Sequence, residues 1–198
     1  MNASINPTIP QRWIVCMLVL FLYSGCEYSR HSQRVTVNVT EQFALAVLPF
    51  NNQTNQMGAG KIVTELFTTE LITQRNVTLS PQEKAESLLS DQTATADEIF
   101  YRYQLKELRE KLSAAAVVKG TVTEFVYKKG IRERPVVGLD IKIISLQDGN
   151  ILWAGSYTRE ELSFLFYEGS LNSTAQRMCR KIAGTISRSF KFKEVKNE

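Results

Sequence analysis

The sequence predicts an α+β fold, a single domain with a mainly antiparallel sheet packed with helices. Three observations carry this. Apolar residues alternate with polar ones through the second half of the chain, around Val118, Val122 and Val126. They alternate again at Val137, Leu139, Ile141 and Ile143, set between Gly138, Asp140 and Lys142. Alternation with period two is the mark of a half-buried strand. Asp148-Gly149 separates Ile143-Ile144-Ser145-Leu146 from Ile151-Leu152-Trp153. Asp-Gly suits a type I′ turn, which needs positive φ at both central residues, so the two runs read as a hairpin. Finally, Leu171, Ala175, Met178, Cys179, Ile182, Ala183, Ile186 and Phe190 recur at helical spacing and predict a closing helix over about 171–190.

The remaining elements follow in chain order. Residues 43–50 (FALAVLPF) are a short apolar run that stops at proline and Asn51-Asn52, as a buried strand does at its exit. Gly58-Ala59-Gly60 opens a helix whose Ile62, Val63, Leu66, Phe67 and Leu71 share one face. Residues 76–80 form a strand candidate. Ser80-Pro81-Gln82-Glu83 has the form of a capping box, with proline in the first turn. Another helix is expected from Thr95 or Asp97 to Leu112, carrying Ile99, Leu105, Leu108 and Leu112. The order is then strand, helix, strand, helices, three antiparallel strands and a final helix. Such segregation suits α+β rather than a parallel α/β fold.

The N-terminus carries an address. Arg12 precedes an apolar run from Trp13 to Tyr23, and Ser24-Gly25 stand before Cys26. A basic start, a short apolar middle and small residues before a cut make a secretory signal. The run has 11 residues, against about 20 needed to span a bilayer as a helix. Tyr23-Ser24-Gly25-Cys26 resembles the bacterial lipobox, with Tyr23 where leucine is usual. An acylated Cys26 and an ordinary cleaved signal both fit these residues. The expected organisation is a lipoprotein signal peptide over 1–25, then a lipidated cysteine and polar tether over 26–42. The periplasmic domain follows over 43–192, and a polar tail over 193–198.

Composition narrows the function. From Cys26 onward there are 173 residues, enough for one sizeable core. The full chain carries +4, of which Arg12 is the only charge before Cys26. This balance is too mild for a nucleic-acid-binding domain. Three cysteines occur. Cys16 lies in the signal and Cys26 is the acylation candidate. Cys179, within the apolar stripe of the last helix, is left without a disulfide partner and is expected to be buried.

Residues suited to catalysis are sparse. The single histidine, His31, lies in the tether, so no Ser-His or Cys-His pair is available inside the domain. The residues call for no metal and no cofactor. Gly58-Ala59-Gly60-Lys61 lacks the earlier glycine and the following Ser or Thr of a phosphate loop, having Asn55 and Ile62 there. Glu160-Glu161 reads as a solvated helix start. Leu162, Phe164, Leu165, Phe166 and Tyr167 admit two readings, core beneath the last helix or an exposed patch for a partner. Lys128-Lys129-Gly130-Ile131-Arg132-Glu133-Arg134 joins two strands. It reads as a solvated hairpin tip, or as a contact for anionic headgroups or an acidic partner through Lys128, Lys129, Arg132 and Arg134.

Residues 45–52 (LAVLPFNN) followed by Gly60 to Leu71 resemble the opening of the curli assembly/transport lipoproteins. They are also similar to the lipoprotein activators of penicillin-binding proteins and to the N-terminal domain of the Tol-Pal propeller protein. Residues 114–122 (AAAVVKGTV) resemble the alanine-rich strand of that superfamily. The stretch from Val137 to Trp153 resembles its Gly-x-(Ile/Val)-Leu-Trp hairpin. The resemblance spans about 43–190. It implies a non-catalytic domain acting through protein contacts at the outer membrane. Homo-oligomer rings occur among the relatives.

Two departures narrow the reading. A membrane-crossing hairpin needs about 20 residues, but seven lie between Tyr127 and Pro135 and eleven from Arg159 to Gly169, so no pore is expected. The tether has no proline and is short for reaching across the periplasm. The expected protein is therefore a periplasm-facing outer-membrane lipoprotein. It would serve a cell-envelope machine, in secretion or peptidoglycan synthesis, as a binding or assembly module. The alternative is an accessory lipoprotein for lipopolysaccharide transport. Glu27, in place of the aspartate that signals inner-membrane retention, favours the outer membrane.

Overall fold

Alternation along the second half of the chain builds three long strands, and everything else packs on them. In the computed structural model, residues 29–34, 44–75, 77–88, 96–130, 133–161 and 169–190 are described. The strands are β1 (Ser29–Arg34), β2 (Ala44–Val47), β3 (Asn51–Asn52), β4 (Thr78–Leu79), β5 (Ala116–Lys128), β6 (Arg134–Ser145) and β7 (Ile151–Glu160). The helices are α1 (Ala59–Ile72), α2 (Gln82–Glu86), α3 (Ala96–Arg102), α4 (Leu105–Leu112) and α5 (Leu171–Ser189). The sheet runs β1-β7-β6-β5-β2-β4, with β3 also on β5. Its β1–β7, β7–β6 and β6–β5 pairs are antiparallel. β2 is parallel to both β4 and β5. The expected α+β class holds.

Why β2 reads as a continuous apolar run is now plain. Leu45 and Val47 point to one core and Ala46 and Leu48 to another. A strand covered on both faces has no polar side to alternate with. The larger core lies between the sheet and helices α1 and α5. There Val118, Val122, Leu139, Ile141, Ile143 and Trp153 meet Val63, Phe67, Ile182 and Ile186. The smaller core lies on the opposite face, under α2, α3 and α4, around Ile99, Leu108, Leu112 and Val117. Helix α5 starts at a reciprocal cap, in which Ser170 Oγ accepts from Ser173 N and Ser173 Oγ accepts from Ser170 N, both at 3.1 Å. Such caps satisfy donors that the first turn leaves unpaired.

Four expectations change. The helix expected up to Leu112 is two helices, broken where Gln104 is extended (φ −73°, ψ 153°). The break lets Ile99 and Leu108 reach the same small core. The Ser80 capping box does not form. Pro81 stands at the helix start without a side-chain cap, and Ser80 Oγ instead donates to the Leu112 carbonyl at the end of α4.

The β6–β7 hairpin exists, but not through a two-residue turn. Residues 146–150 form the loop, Gly149 alone has positive φ (75°), and Gly149 N donates to Ser145 O at 3.0 Å. Leu146 is drawn into the smaller core and its N–H donates to Ala115 O, which lengthens the connection. Finally, residues 29–34, expected within a polar tether, pair with β7, from Ser29 opposite Tyr157 to Arg34 opposite Trp153. The free edge of β7 provides backbone partners that the tether's polar composition does not advertise.

Gly60 provides a test of packing against propensity. Alanine is a better helix former than glycine by about 1 kcal/mol. A Cβ at Gly60, however, would lie 2.5 Å from the Phe50 carbonyl oxygen, a backbone atom that cannot swing away. Gly60→Ala is expected to lower stability by about 1–3 kcal/mol, read as an earlier midpoint in urea unfolding. A later midpoint would show that propensity dominates.

Candidate functional site

Four strand ends meet at one end of the sheet. β5 finishes at Lys128, β6 begins at Arg134, β7 finishes at Glu160 and β1 begins at Ser29. The sequence-predicted basic tip is here. Lys128 Nζ pairs with Glu124 Oε1 at 3.0 Å, and Arg134 Nη1 pairs with Glu160 Oε1. Lys129 is exposed and has no ion-pair partner among the described residues. Beside these cations, Val126 and Tyr127 are 44% and 42% exposed, unusually open for large apolar side chains in a long strand. The Tyr127 hydroxyl accepts from Leu171 N at 3.3 Å, which ties the tip to the start of α5. Arg132 and Cys26 lie outside the described residues, as does the aromatic cluster of Leu162, Phe164, Leu165, Phe166 and Tyr167.

Glu160 and Glu161 are not a solvated helix start. Glu160 ends β7. Glu161 is buried, accepting from Arg159 Nε at 3.1 Å and Arg177 Nη1 at 3.3 Å, while its own N–H donates to Pro135 O. Two guanidinium groups offset the desolvation that burying a carboxylate costs. No spacing rule in the sequence links Glu161 to Arg177, because they lie sixteen residues apart, just past the end of β7 and within α5.

The opposite end of the sheet is built where Ala44, Ala116 and Ser145 are neighbours. Beside it, the edge strand β4 leaves a groove of about 530 Å³. Thr68 and Ile72 of α1, Thr78 and Leu79 of β4, and Pro81 and Glu83 line it. Ile72 is 63% exposed and Thr68 Oγ1 is buried without a hydrogen-bond partner. An edge strand beside a helix presents unpaired backbone groups to an extended chain. Each lining residue is ordinary in sequence, so only the tertiary arrangement reveals the groove.

Other charged groups are structural. Glu70 of α1 is nearly buried and accepts from Arg180 through Nε (3.0 Å) and Nη2 (3.1 Å), and from Gln176 Nε2 (3.1 Å). Arg180 holds the Glu70 carboxyl below its ordinary range, against the opposing effect of burial, with Gln176 helping. Lys119 does the same for Asp97, which also accepts from Asn51 Nδ2 at 3.0 Å. Cys179 is fully buried, as expected, and burial pushes its thiol up to about 12. In Gly58-Ala59-Gly60-Lys61, Gly58 has positive φ and open space around it, while Gly60 packs against the Phe50 carbonyl. Among the described residues no group of His, Cys, Asp or Glu is placed to hold a metal ion. Among the same residues no helix is long and apolar enough to cross a membrane.

A sequence model of the peptidoglycan-synthase activator LpoB matches residues 28–158, more than half of the chain. The chain belongs to the LpoB family. The match runs from β1 through β7, so it includes the strand set in the expected tether. Of the three relatives its motifs resemble, the family match supports the synthase activators. The fold is also that of two solved structures. The PelC dodecamer from Paraburkholderia phytofirmans is 20% identical, with 84% of this chain and 99% of that chain covered and a TM-score of 0.58. Lipoprotein GNA1162 from Neisseria meningitidis is 16% identical, with 74% and 99% covered and a TM-score of 0.55. No curated protein matches this LpoB-family chain.

Two outcomes test the geometry. The Cys179 thiol should stay unmodified by iodoacetamide at pH 8 in the folded protein and react once urea unfolds it; rapid labelling of the native state would contradict its burial. Glu70 has a lowered folded value, so its contribution to stability is present above the ordinary value of 4.5. That contribution is lost as pH falls through the folded value. Because Arg180 is 63% exposed, solvent screening limits the effect to about 1 kcal/mol. Glu70→Gln should unfold more easily at pH 7 by that amount, and the difference should shrink as the pH falls below 4.5.

Proposed function

We propose that this protein is an outer-membrane lipoprotein, acylated at Cys26, whose periplasm-facing domain binds and activates a peptidoglycan synthase. The observation that carries the reading is the family match over residues 28–158. An activator works by contact, through surfaces that shift the enzyme towards its active form. The two ends of this sheet supply such surfaces. The groove beside β4 suits an extended segment of a partner, since backbone pairing gives affinity and side pockets give selectivity. The Tyr23-Ser24-Gly25-Cys26 pattern supports acylation, and Glu27 supports the outer membrane. The family match favours this reading over lipopolysaccharide transport.

The short N-terminal segment shapes how contact occurs. Residues 29–34 are engaged with β7, so the domain has little free chain with which to reach inward. The synthase would have to approach the outer membrane, or present a domain there. A second reading, self-association, rests on the fold shared with the PelC dodecamer. Sedimentation of the purified protein decides it: a ring at micromolar concentration supports self-association and a monomer at tens of micromolar removes it.

Two measurements test the principal reading. The purified protein, added to the peptidoglycan synthases of its own cell, should raise the rate of glycan polymerisation several-fold; an unchanged rate with every synthase refutes activation. Cys26→Ser should move the protein from the membrane fraction to the soluble periplasm. Unaltered fractionation would refute the anchor.

A further inference from the structure

We propose that the basic end of the sheet is a membrane-docking surface, which lies on the anionic headgroups of the leaflet holding the anchor and turns the β4 groove away from it. This orientation rests on acylation at Cys26. The argument begins with register. β1 is antiparallel to β7, with Ser29 opposite Tyr157. β1 therefore begins beside the Glu160 end of β7. Only Glu27 and Tyr28 separate Cys26 from the strand, so the anchor lies within about 10 Å of Ser29.

Glu160 is opposite Val136 in β6, and Val136 is opposite Val126 in β5. Neighbouring strands are about 4.8 Å apart, which puts the β6 end of the basic tip about 10 Å sideways from β1. The anchor and the tip thus leave the domain together. A bilayer that holds one is within about one screening length of the other.

The surface at this end has the chemistry for that position. Lys128, Lys129 and Arg134 supply cations, Val126 supplies exposed apolar area on the face of Lys128 and Arg134, and Tyr127 supplies it on the opposite face. Tyrosine favours the headgroup level, where its partly exposed ring is sheltered. Lysine and arginine lay their apolar stems along such a surface and keep their charge among the phosphates. Glu124 and Glu160 pair with cations on the same face and temper the patch, leaving Lys129 as its open charge. Each basic residue near an anionic leaflet strengthens attachment roughly fivefold.

At the other end stand Ile151, the β6–β7 loop and the groove beside β4. Ile151 and Glu160 are the two ends of the ten-residue strand β7, a height of about 30 Å. Docking by the basic end carries the groove to the far side of the domain, where a periplasmic partner can reach it.

Energy transfer to the membrane plane tests this. Once the signal is removed and Cys26 acylated, Cys179 is buried and its thiol is pushed up to about 12, so one introduced cysteine can be labelled alone. The mature acylated protein carrying Gly130→Cys or Ile151→Cys is labelled with a donor fluorophore. It is then reconstituted into vesicles of phosphatidylethanolamine and phosphatidylglycerol that contain acceptor-labelled lipid.

Transfer should be clearly greater from position 130 than from 151. Lys128→Glu with Lys129→Glu, or replacing phosphatidylglycerol by phosphatidylcholine, should reduce that difference. Equal or reversed transfer in an acylated protein overturns the orientation and leaves the anchor standing. A mature mass without acyl at Cys26 overturns the anchor and the orientation with it. Shielding of position 130 only when a protein partner is added assigns the tip to that partner and overturns the membrane contact.

Discussion

One apolar sheet face, closed by α1 and α5, holds the described domain together. Val118, Val122, Leu139, Ile141, Ile143 and Trp153 form a continuous floor, and Val63, Phe67, Leu71, Ile182 and Ile186 are laid on it with almost no exposure. Each such side chain contributes about 1.5–3 kcal/mol on leaving water. The two helices are fastened to each other by Glu70, which accepts from Arg180 and Gln176. Their positions then determine what the sheet ends can display. Helix α5 must start near Tyr127, so the chain returns from β7 at the basic end. Helix α1 must finish near Ala44, so β4 and its groove form at the other end.

The opposite sheet face is only partly closed. Helices α2, α3 and α4 cover β2 and the start of β5, while Asp140, Lys142, Ser156 and Thr158 remain on the uncovered part of β6 and β7. A polar face of this kind is stable in water because every backbone group in the central strands is already paired. The surfaces open to a partner are therefore the two ends and the two edges, β1 and β4. An edge strand invites pairing with another chain. β7 takes β1 from its own chain, whereas β4 is two residues long and stays open beside the groove.

The family match covers most of the described strands and belongs to a family of synthase activators. The match to the LpoB family begins at residue 28 and the first strand at Ser29. The likeness to PelC and GNA1162 extends the fold beyond this family. Residues at the sheet ends, rather than the shared core, must distinguish what such proteins bind.

The sequence alone determined the α+β class, a buried strand within 43–50 (Ala44–Val47 in the structure), the long strands after Ala116, the stripe of α5 and the burial of Cys179. These follow from periodicity, because burial of one face repeats every two residues in a strand and every 3.6 in a helix. Only the tertiary structure decided the features whose partners are distant in the chain. Ser80 serves α4 instead of its own helix, Gln104 breaks a helix so that Ile99 and Leu108 can share a core, and Glu161 is held by Arg177 from α5. Ser29 to Arg34, polar and without apolar period, become a strand because β7 offers an unpaired edge. Such pairing depends on backbone groups that every residue carries, so composition records no trace of it.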